Sequence, residues 1–378
     1  MRGREKQGQL LSPFDSPGVR GSGCVRRAWL ALLTVALSTG MALGASEFAV
    51  RLLAPQPTKV TVPVIMDEEL IYRLPAGTRG TDVKDEFAVS IGTNAHGLRD
   101  RDYAPTKPPG ILERLLVIGD SMTFAEGVEA EQTYPKVLER ALDGRYEVIN
   151  AAIRGYGTDQ EMIWLERLVP LYRPDAVVLA FFAVNDVDDV LYAGLFEVVD
   201  GRLVRRRVSA ETSPKYKYYE QQSFIQTFPG YRFLIEHSHL VNWARQRWAR
   251  REYDRLFPSS GAVDAEHEER AWAVISRLLG SWDEWMRREG IRPLILLIPS
   301  WAQVHQGGDA LVDARTERVL QWGRERSVSV LDPRLALRAA WERGVQTYYP
   351  RDRHMTAQGH AVVAAYLKSG LESLGIVH

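Results

Sequence analysis

From Glu113 onward, short apolar runs alternate with helix-length segments, and that alternation restricts the chain to a parallel sheet covered by helices. Strands are expected at 115–118, 146–151, 176–182, 293–298 and 327–331, and helices at about 132–142, 159–172 and 357–374. With 378 residues, 45% of them hydrophobic, the chain can bury one large core plus an insertion or small accessory domain. About a hundred residues separate the third and fourth strands, too many for a plain crossover. A helical insertion is therefore expected at about 195–290, with helices at 240–256 and 265–288, as a lid or substrate wall. Its tryptophans (Trp243, Trp248, Trp272, Trp282, Trp285) stand at helical spacing, which favours core packing over sugar stacking.

The first strand stops abruptly at Gly119-Asp120-Ser121-Met122-Thr123. Serines in turns most often cap the next helix, so Ser121 gains meaning only from the ends of later strands. The second strand runs into Asn150 and then Arg154-Gly155-Tyr156-Gly157, and the third into Ala183-Val184-Asn185-Asp186. Arg351-Asp352-Arg353-His354 precedes the last helix. The fold class expected is a three-layer α/β/α sandwich with a flavodoxin-like, five-stranded parallel sheet in the order 2-1-3-4-5. In that order Ser121, Gly155 and Asn185 emerge on one edge at the switch point, with His354 brought over them. A nucleophile, a base, an acid beside the base and hydrogen-bond donors are the parts of acyl transfer. Each part also has a plainer reading: Asn185 as a turn residue, His354 as one of eight histidines, His360 as a packing residue of the last helix. A dinucleotide loop is excluded, because Gln160 takes the third glycine's place after Gly155 and Gly157. No GxSxG, HExxH or Cys/His cluster is present, so neither a nucleophile elbow, a metal nor another cofactor is expected.

Residues 1–27 are Gly/Ser/Arg-rich and expected to be disordered. The 19 residues 28–46 carry no charge, enough to cross a bilayer as a helix, and the segment 28–54 reads as a transmembrane anchor. Arg26 and Arg27 before it orient the rest of the chain outside the cytoplasm, as a single-pass protein of the inner membrane. The alternative is secretion after signal cleavage near Ala42-Leu43-Gly44. Residues 55–112 read as a small β-rich lead-in, with strand-like pieces at 58–65 and 87–91, and 113–376 as the main domain. Lys+Arg and Asp+Glu both number 48, so no basic field argues for nucleic acid. The single cysteine, Cys24, excludes an intrachain disulfide and reads as incidental.

Over roughly 115–374 these blocks resemble the SGNH (GDSL-type) hydrolase superfamily: Gly119-Asp120-Ser121 matches its first block, 150–155 its second, and Asn185-Asp186 its third. Ala183 stands where the third block usually has glycine, and Arg351 where the last block usually has its aspartate. The Asp352-Arg353-His354 spacing is similar to a branch that includes cell-surface polysaccharide acetylation enzymes. The resemblance implies Ser121 as nucleophile, His354 as base and Asp352 as acid, with Asp332 the fallback acid. It also implies an oxyanion hole of the Ser121 and Gly155 N–H groups and the Asn185 amide, aided by the N-terminus of the helix after Ser121. The expected activity is a serine esterase removing acyl, including acetyl, groups from an envelope carbohydrate or lipid. An O-acyltransferase acting on a cell-surface polysaccharide is the alternative within catalysis, and an idle envelope scaffold with a broken triad the alternative outside it.

Overall fold

The computed structural model describes residues 22–58, 62–257 and 265–378, which fall into two compact units, 1–56 and 57–378. In the first unit, α1 (Ser22–Leu53) is a single helix whose segment Val25–Leu53 is long and apolar enough to cross a membrane or to serve as a signal sequence. Its large side chains, among them Trp29, Leu33 and Met41, are exposed. The disorder expected as far as residue 27 is corrected for 22–27: Arg26 and Arg27 are good helix formers and join α1. Residues 1–21 and the side chain of Cys24 lie outside the described residues.

The second unit begins with two antiparallel hairpins, β1 (Ile65–Asp67) with β2 (Ile71–Arg73), and β3 (Arg79–Lys84) with β4 (Phe87–Gly92). Of the strand expected at 58–65, only Ile65 is strand; 59–61 lie outside the described residues. The main elements follow: β5 (Glu113–Ile118), α2 (Ser121–Phe124), α3 (Tyr134–Ala141), β6 (Tyr146–Asn150), α4 (Thr158–Tyr172), β7 (Ala176–Phe181) and α5 (Asp186–Ala193). The long connection holds a third hairpin, β8 (Phe196–Val199) with β9 (Arg202–Arg205). It continues through the helices α6 (Pro214–Gln226), α7 (Tyr231–His237), α8 (His239–Leu256) and α9 (Ala265–Arg288). The chain closes with β10 (Arg292–Leu297), α10 (Trp301–His305), α11 (Ala310–Arg326), β11 (Ser329–Leu331), α12 (Arg334–Glu342) and α13 (Ala357–Ser373).

Five strands form one parallel sheet ordered β11-β10-β7-β5-β6, the 2-1-3-4-5 order. β5, β6 and β7 are rich in Val, Ile and Leu and buried almost throughout, as strands covered on both faces must be. Alternation along them divides the core in two. Leu116, Ile118, Val177 and Leu179 pack with Ile163 of α4, Ile275 of α9 and Val319 of α11. Leu115, Val117, Val178 and Ala180 pack with Leu138 of α3 and Val363 and Leu367 of α13. α9 carries acids in its first turn and Arg287 and Arg288 in its last, in register with the helix dipole. It buries Trp272 and Trp282 in the core, so this part of the 195–290 stretch is a layer of the main sandwich, whereas Trp248 of α8 is exposed.

The layered core fixes where substitutions matter. Leu116→Ala, at a fully buried position, is expected to cost about 2–5 kcal/mol in urea unfolding, whereas Leu335→Ala, 75% exposed on α12, should change stability by less than about 0.5 kcal/mol. Equal effects at the two positions would contradict this packing.

Candidate active site

β5 delivers Ser121 to the carboxyl end of the sheet beside β7, where the chain's crossovers change direction. Asp120 caps the turn that follows, its Oδ1 accepting the Met122 N–H at 2.8 Å. That turn, α2, is one turn long, too short for the helix-end field expected of it; what it offers is free N–H groups. Ala125 ends it in the left-handed region at φ 67°. The carbonyls left open there are gathered by Arg99, which is fully buried: its Nη1 donates to Phe124 O at 2.9 Å and Ala125 O at 2.7 Å, and its Nη2 to Val128 O at 2.5 Å. Asn150, at the end of β6, donates from Nδ2 to Thr123 O at 3.0 Å, fastening the second strand's end to the same turn.

His354 Nε2 lies 2.9 Å from Ser121 Oγ, and His354 Nδ1 lies 2.6 Å from Asp352 Oδ1. Asp332 is elsewhere, accepting the Arg334 N–H at 3.0 Å in a turn. The short Asp-x-His spacing works because Arg353 between them is left-handed, φ 68°, in a loop closed by Arg353 N to Tyr349 O (3.0 Å) and Tyr349 N to His354 O (2.9 Å). Left-handed backbone at a non-glycine residue costs about 1–2 kcal/mol, so the surrounding contacts must hold it. His360 is buried, accepting the Tyr134 N–H on Nδ1 and stacking on that ring.

Gly155 takes φ 70°, and a Cβ there would stand 2.9 Å from the Tyr72 hydroxyl and 3.0 Å from that of Tyr219. Neither its N–H nor that of Ser121 donates to a group among the described residues. Both residues and Asn185 line one cavity of about 900 Å³, walled by Tyr218, Tyr253 and Phe257 from the long connection and by Arg154 and Lys215. The Asn185 amide does not stand free: Nδ2 donates to Asp120 Oδ2 at 3.2 Å and to Asp189 Oδ2 at 3.3 Å. Ala183, in the usual glycine's place, is buried, and Arg315 holds its carbonyl and that of Val184, each at 3.2 Å.

The charges around His354 come from its own loop, from β3 and from the segment after α2. Burial would lower its pKa, but the Glu126 carboxylate and the Asp352 hydrogen bond outweigh that and hold it above the ordinary value. Burial opposes ionisation of Asp352 and of Glu126, yet His354 and the Lys84 ammonium hold Asp352 far below the usual carboxylate range. His354, Arg154 and Lys84 bring Glu126 down to about 2. Behind Ser121 sits a second group of acids. Burial raises Asp120 to about 6 and Asp159 to about 7, and it raises Glu161 and Asp186 well above the carboxylate range. Both Glu161 oxygens lack a partner among the described residues. Among those residues no group of three or more His, Cys, Asp or Glu side chains is arranged to hold a metal ion.

The sequence reading missed Lys84, Glu86, Arg99, Glu126 and Arg315. A signal for Arg99 lies in the stretch 93–100, whose Asn94, Gly97 and Asp100 read as a turn leading towards the core.

A family model described as GDSL-like lipase/acylhydrolase matches residues 117–362. No curated protein matches the sequence. Among solved structures, the chain is similar to an acetyl xylan esterase from Geobacillus stearothermophilus, 17% identical over 71% of this chain and 97% of that one, with a TM-score of 0.41. It is also similar to an alpha/beta hydrolase enzyme from the metagenome of Lake Arreo, Spain (15%, 71% and 98%, TM-score 0.40), and to TesA (16%, 69% and 99%, TM-score 0.39).

A buried acid with a raised pKa binds protons in the folded state that the unfolded chain releases above about pH 4. Its contribution is fully present below the unfolded pKa and is lost as pH rises towards the folded value. Glu161→Gln is therefore expected to leave the melting temperature nearly unchanged at pH 4 and to raise it progressively towards pH 8. A difference that does not vary with pH would contradict the assignment.

Proposed function

Because the chain belongs to the GDSL-like lipase/acylhydrolase family, and so is an ester hydrolase, we propose that it works through a Ser121-His354-Asp352 triad on acyl esters of an envelope carbohydrate or lipid. The observation that carries this reading is the continuous chain from Ser121 Oγ through both His354 nitrogens to Asp352, at 2.9 and 2.6 Å.

Ser121 Oγ attacks the acyl carbonyl carbon as His354 Nε2 takes its proton, while Asp352 holds the Nδ1–H tautomer and stabilises the imidazolium. The tetrahedral oxyanion is received by the Ser121 and Gly155 N–H groups. Asn185 joins them by turning its 3.3 Å bond away from Asp189, which keeps Lys215 as a partner at 3.0 Å. Collapse expels the alcohol, which takes the proton from His354 Nε2 and leaves the acyl group on Ser121. Water then attacks the acyl-enzyme, gives a proton to His354, and releases the carboxylic acid as Oγ recovers that proton. The imidazole must start neutral, so its raised pKa puts the acidic limb of kcat/KM above pH 6.5.

The apolar helix Val25–Leu53, with Arg26 and Arg27 on its N-terminal side, supports anchoring in the inner membrane with the hydrolase unit outside the cytoplasm. A cavity of about 900 Å³ beside Ser121, walled by tyrosines, favours a second reading in which a sugar hydroxyl replaces water as acyl acceptor. Release of free acid without a sugar supports hydrolysis; acyl transfer that requires one supports the second reading.

The test is p-nitrophenyl acetate hydrolysis by the full chain in detergent. Ser121→Ala and His354→Ala are expected to lose at least about 10³-fold in kcat/KM. Asn185→Ala should lose about 10²–10³ in kcat with the fold retained. Activity unchanged in Ser121→Ala would overturn the reading.

A further inference from the structure

The tip of the β3–β4 hairpin, outside the residues matched by the family model, is built against the loop that carries Asp352 and His354. Lys84 Nζ lies 2.8 Å from Asp352 Oδ2, the oxygen that does not face His354, and 2.8 Å from Glu126 Oε2. Glu86 accepts the backbone N–H groups of Arg351 at 3.0 Å and Asp352 at 2.6 Å. Phe87 packs on the Tyr349 ring at 5.2 Å between centroids, and Tyr349 donates its hydroxyl to Gly127 O at 2.8 Å. Residues 84–87 thus contact the acid, its backbone and the loop that follows Ser121.

Resting on the triad reading, we propose that Lys84 is a positioning residue for the hydrolysis: its ammonium fixes the orientation of Asp352 and balances the carboxylates around His354, leaving the imidazole free to take the Ser121 proton near neutral pH. The charge count supports this. His354 faces Asp352 from its own loop, Glu126 from the segment after α2, Asp120 from the α2 cap and His360 from α13, so two close carboxylates favour a permanently protonated imidazole. Lys84, reaching in from β3, is the cation that touches both of those carboxylates, and it opposes protonation of the ring. Arg154 stands farther off, 3.9 Å from Glu126 and 3.7 Å from Asp82. Two hydrogen bonds to one carboxylate, one from Lys84 and one from His354, leave Asp352 a single orientation, which a carboxylate bonded by imidazole alone would not have.

The experiment is the pH profile of kcat/KM for p-nitrophenyl acetate with the full chain in detergent, paired with an NMR titration of His354, which reads the imidazole whether or not the ester turns over. Lys84→Met is expected to move the acidic limb and the His354 titration up by about 1 pH unit, with about a tenfold loss of kcat/KM at pH 7. Lys84→Arg should restore most of both, and Glu126→Gln should move them down. A Lys84→Met protein that titrates like the wild type overturns the proposal, even if it is less active, because a merely structural residue would lower activity without moving the limb. The two readings separate through Ser121→Ala. If that variant is inactive and Lys84→Met unshifted, the triad stands and the role of Lys84 falls. If Ser121→Ala keeps full activity, the triad and the role of Lys84 both fall.

Discussion

The open edge of the sheet depends on buried cations that hold backbone carbonyls. A parallel sheet ends in loops whose carbonyls lack ladder partners, and buried polar groups of that kind must find donors. Arg99 supplies them to the turn after Ser121, bonding Phe124, Ala125 and Val128 as well as Ser90 of β4. Lys215 of α6 donates to Gly155 O at 2.8 Å and Gln160 Oε1 at 3.0 Å, holding the second loop. Arg315 of α11 bonds Ala183 O and Val184 O in the third, and is itself paired with Asp188 and Glu268. Three loops are thus each fixed by one long basic side chain from a distant element. Among the described residues no carboxylate touches Arg99, and burial lowers its pKa to about 10, still charged at neutral pH.

The chain pattern made the sheet legible. β5, β6 and β7 are short apolar runs followed by Asp-Ser, Asn and Asn, and the expected 2-1-3-4-5 order, which the sheet has, sets those polar ends beside one another. Ser121, His354 and Asp352 each stand next to an element boundary in a recognised block, and the structure brings the three within hydrogen-bond reach. The hairpins at 65–92 and 196–205 were harder to read, because strands of three to six residues carry too few positions for alternation to register. α9 read as insertion because nothing in its own sequence says whether its apolar face meets the sheet or a separate wall. The structure shows the sheet, through Ile275 and Leu279.

The residues that sequence reasoning missed share one property: each acts across a long sequence separation on a backbone atom or on a second charged group. Lys84 meets Asp352 over 268 residues, and Arg315 meets Ala183 over 132. A lysine in a short hairpin has no local signature that distinguishes it from a solvated one. The Asn185 reading shows the same limit from the other side. Its placement beside Ser121 and Gly155 followed from topology, but its bonds to Asp120 at the cap of α2 and to Asp189 on α5 depend on the directions of two side chains, which the sequence does not give.

Those acids bear directly on catalysis. In the proposed mechanism an oxyanion held by the Ser121 and Gly155 N–H groups would form at an end of the site where Asp120, Asp159, Glu161, Asp186 and Asp189 already oppose one another's ionisation, and in a site shielded from water like charges act strongly on one another. Burial resolves much of the conflict, since desolvation raises all five and so disfavours their charged forms. Lys215, 3.0 Å from Asp189, answers the carboxylate of the five that lines the cavity. The two ends of the site are therefore poised in opposite ways. Around His354 Asp352 and Glu126 are held ionised with Lys84 between them, whereas behind Ser121 burial works against ionisation, most strongly at Glu161 and Asp186 and least at Asp120. A substitution that admits water behind α2 would favour ionisation of those acids, and in the proposed mechanism it would weaken catalysis without touching Ser121, His354 or Asp352.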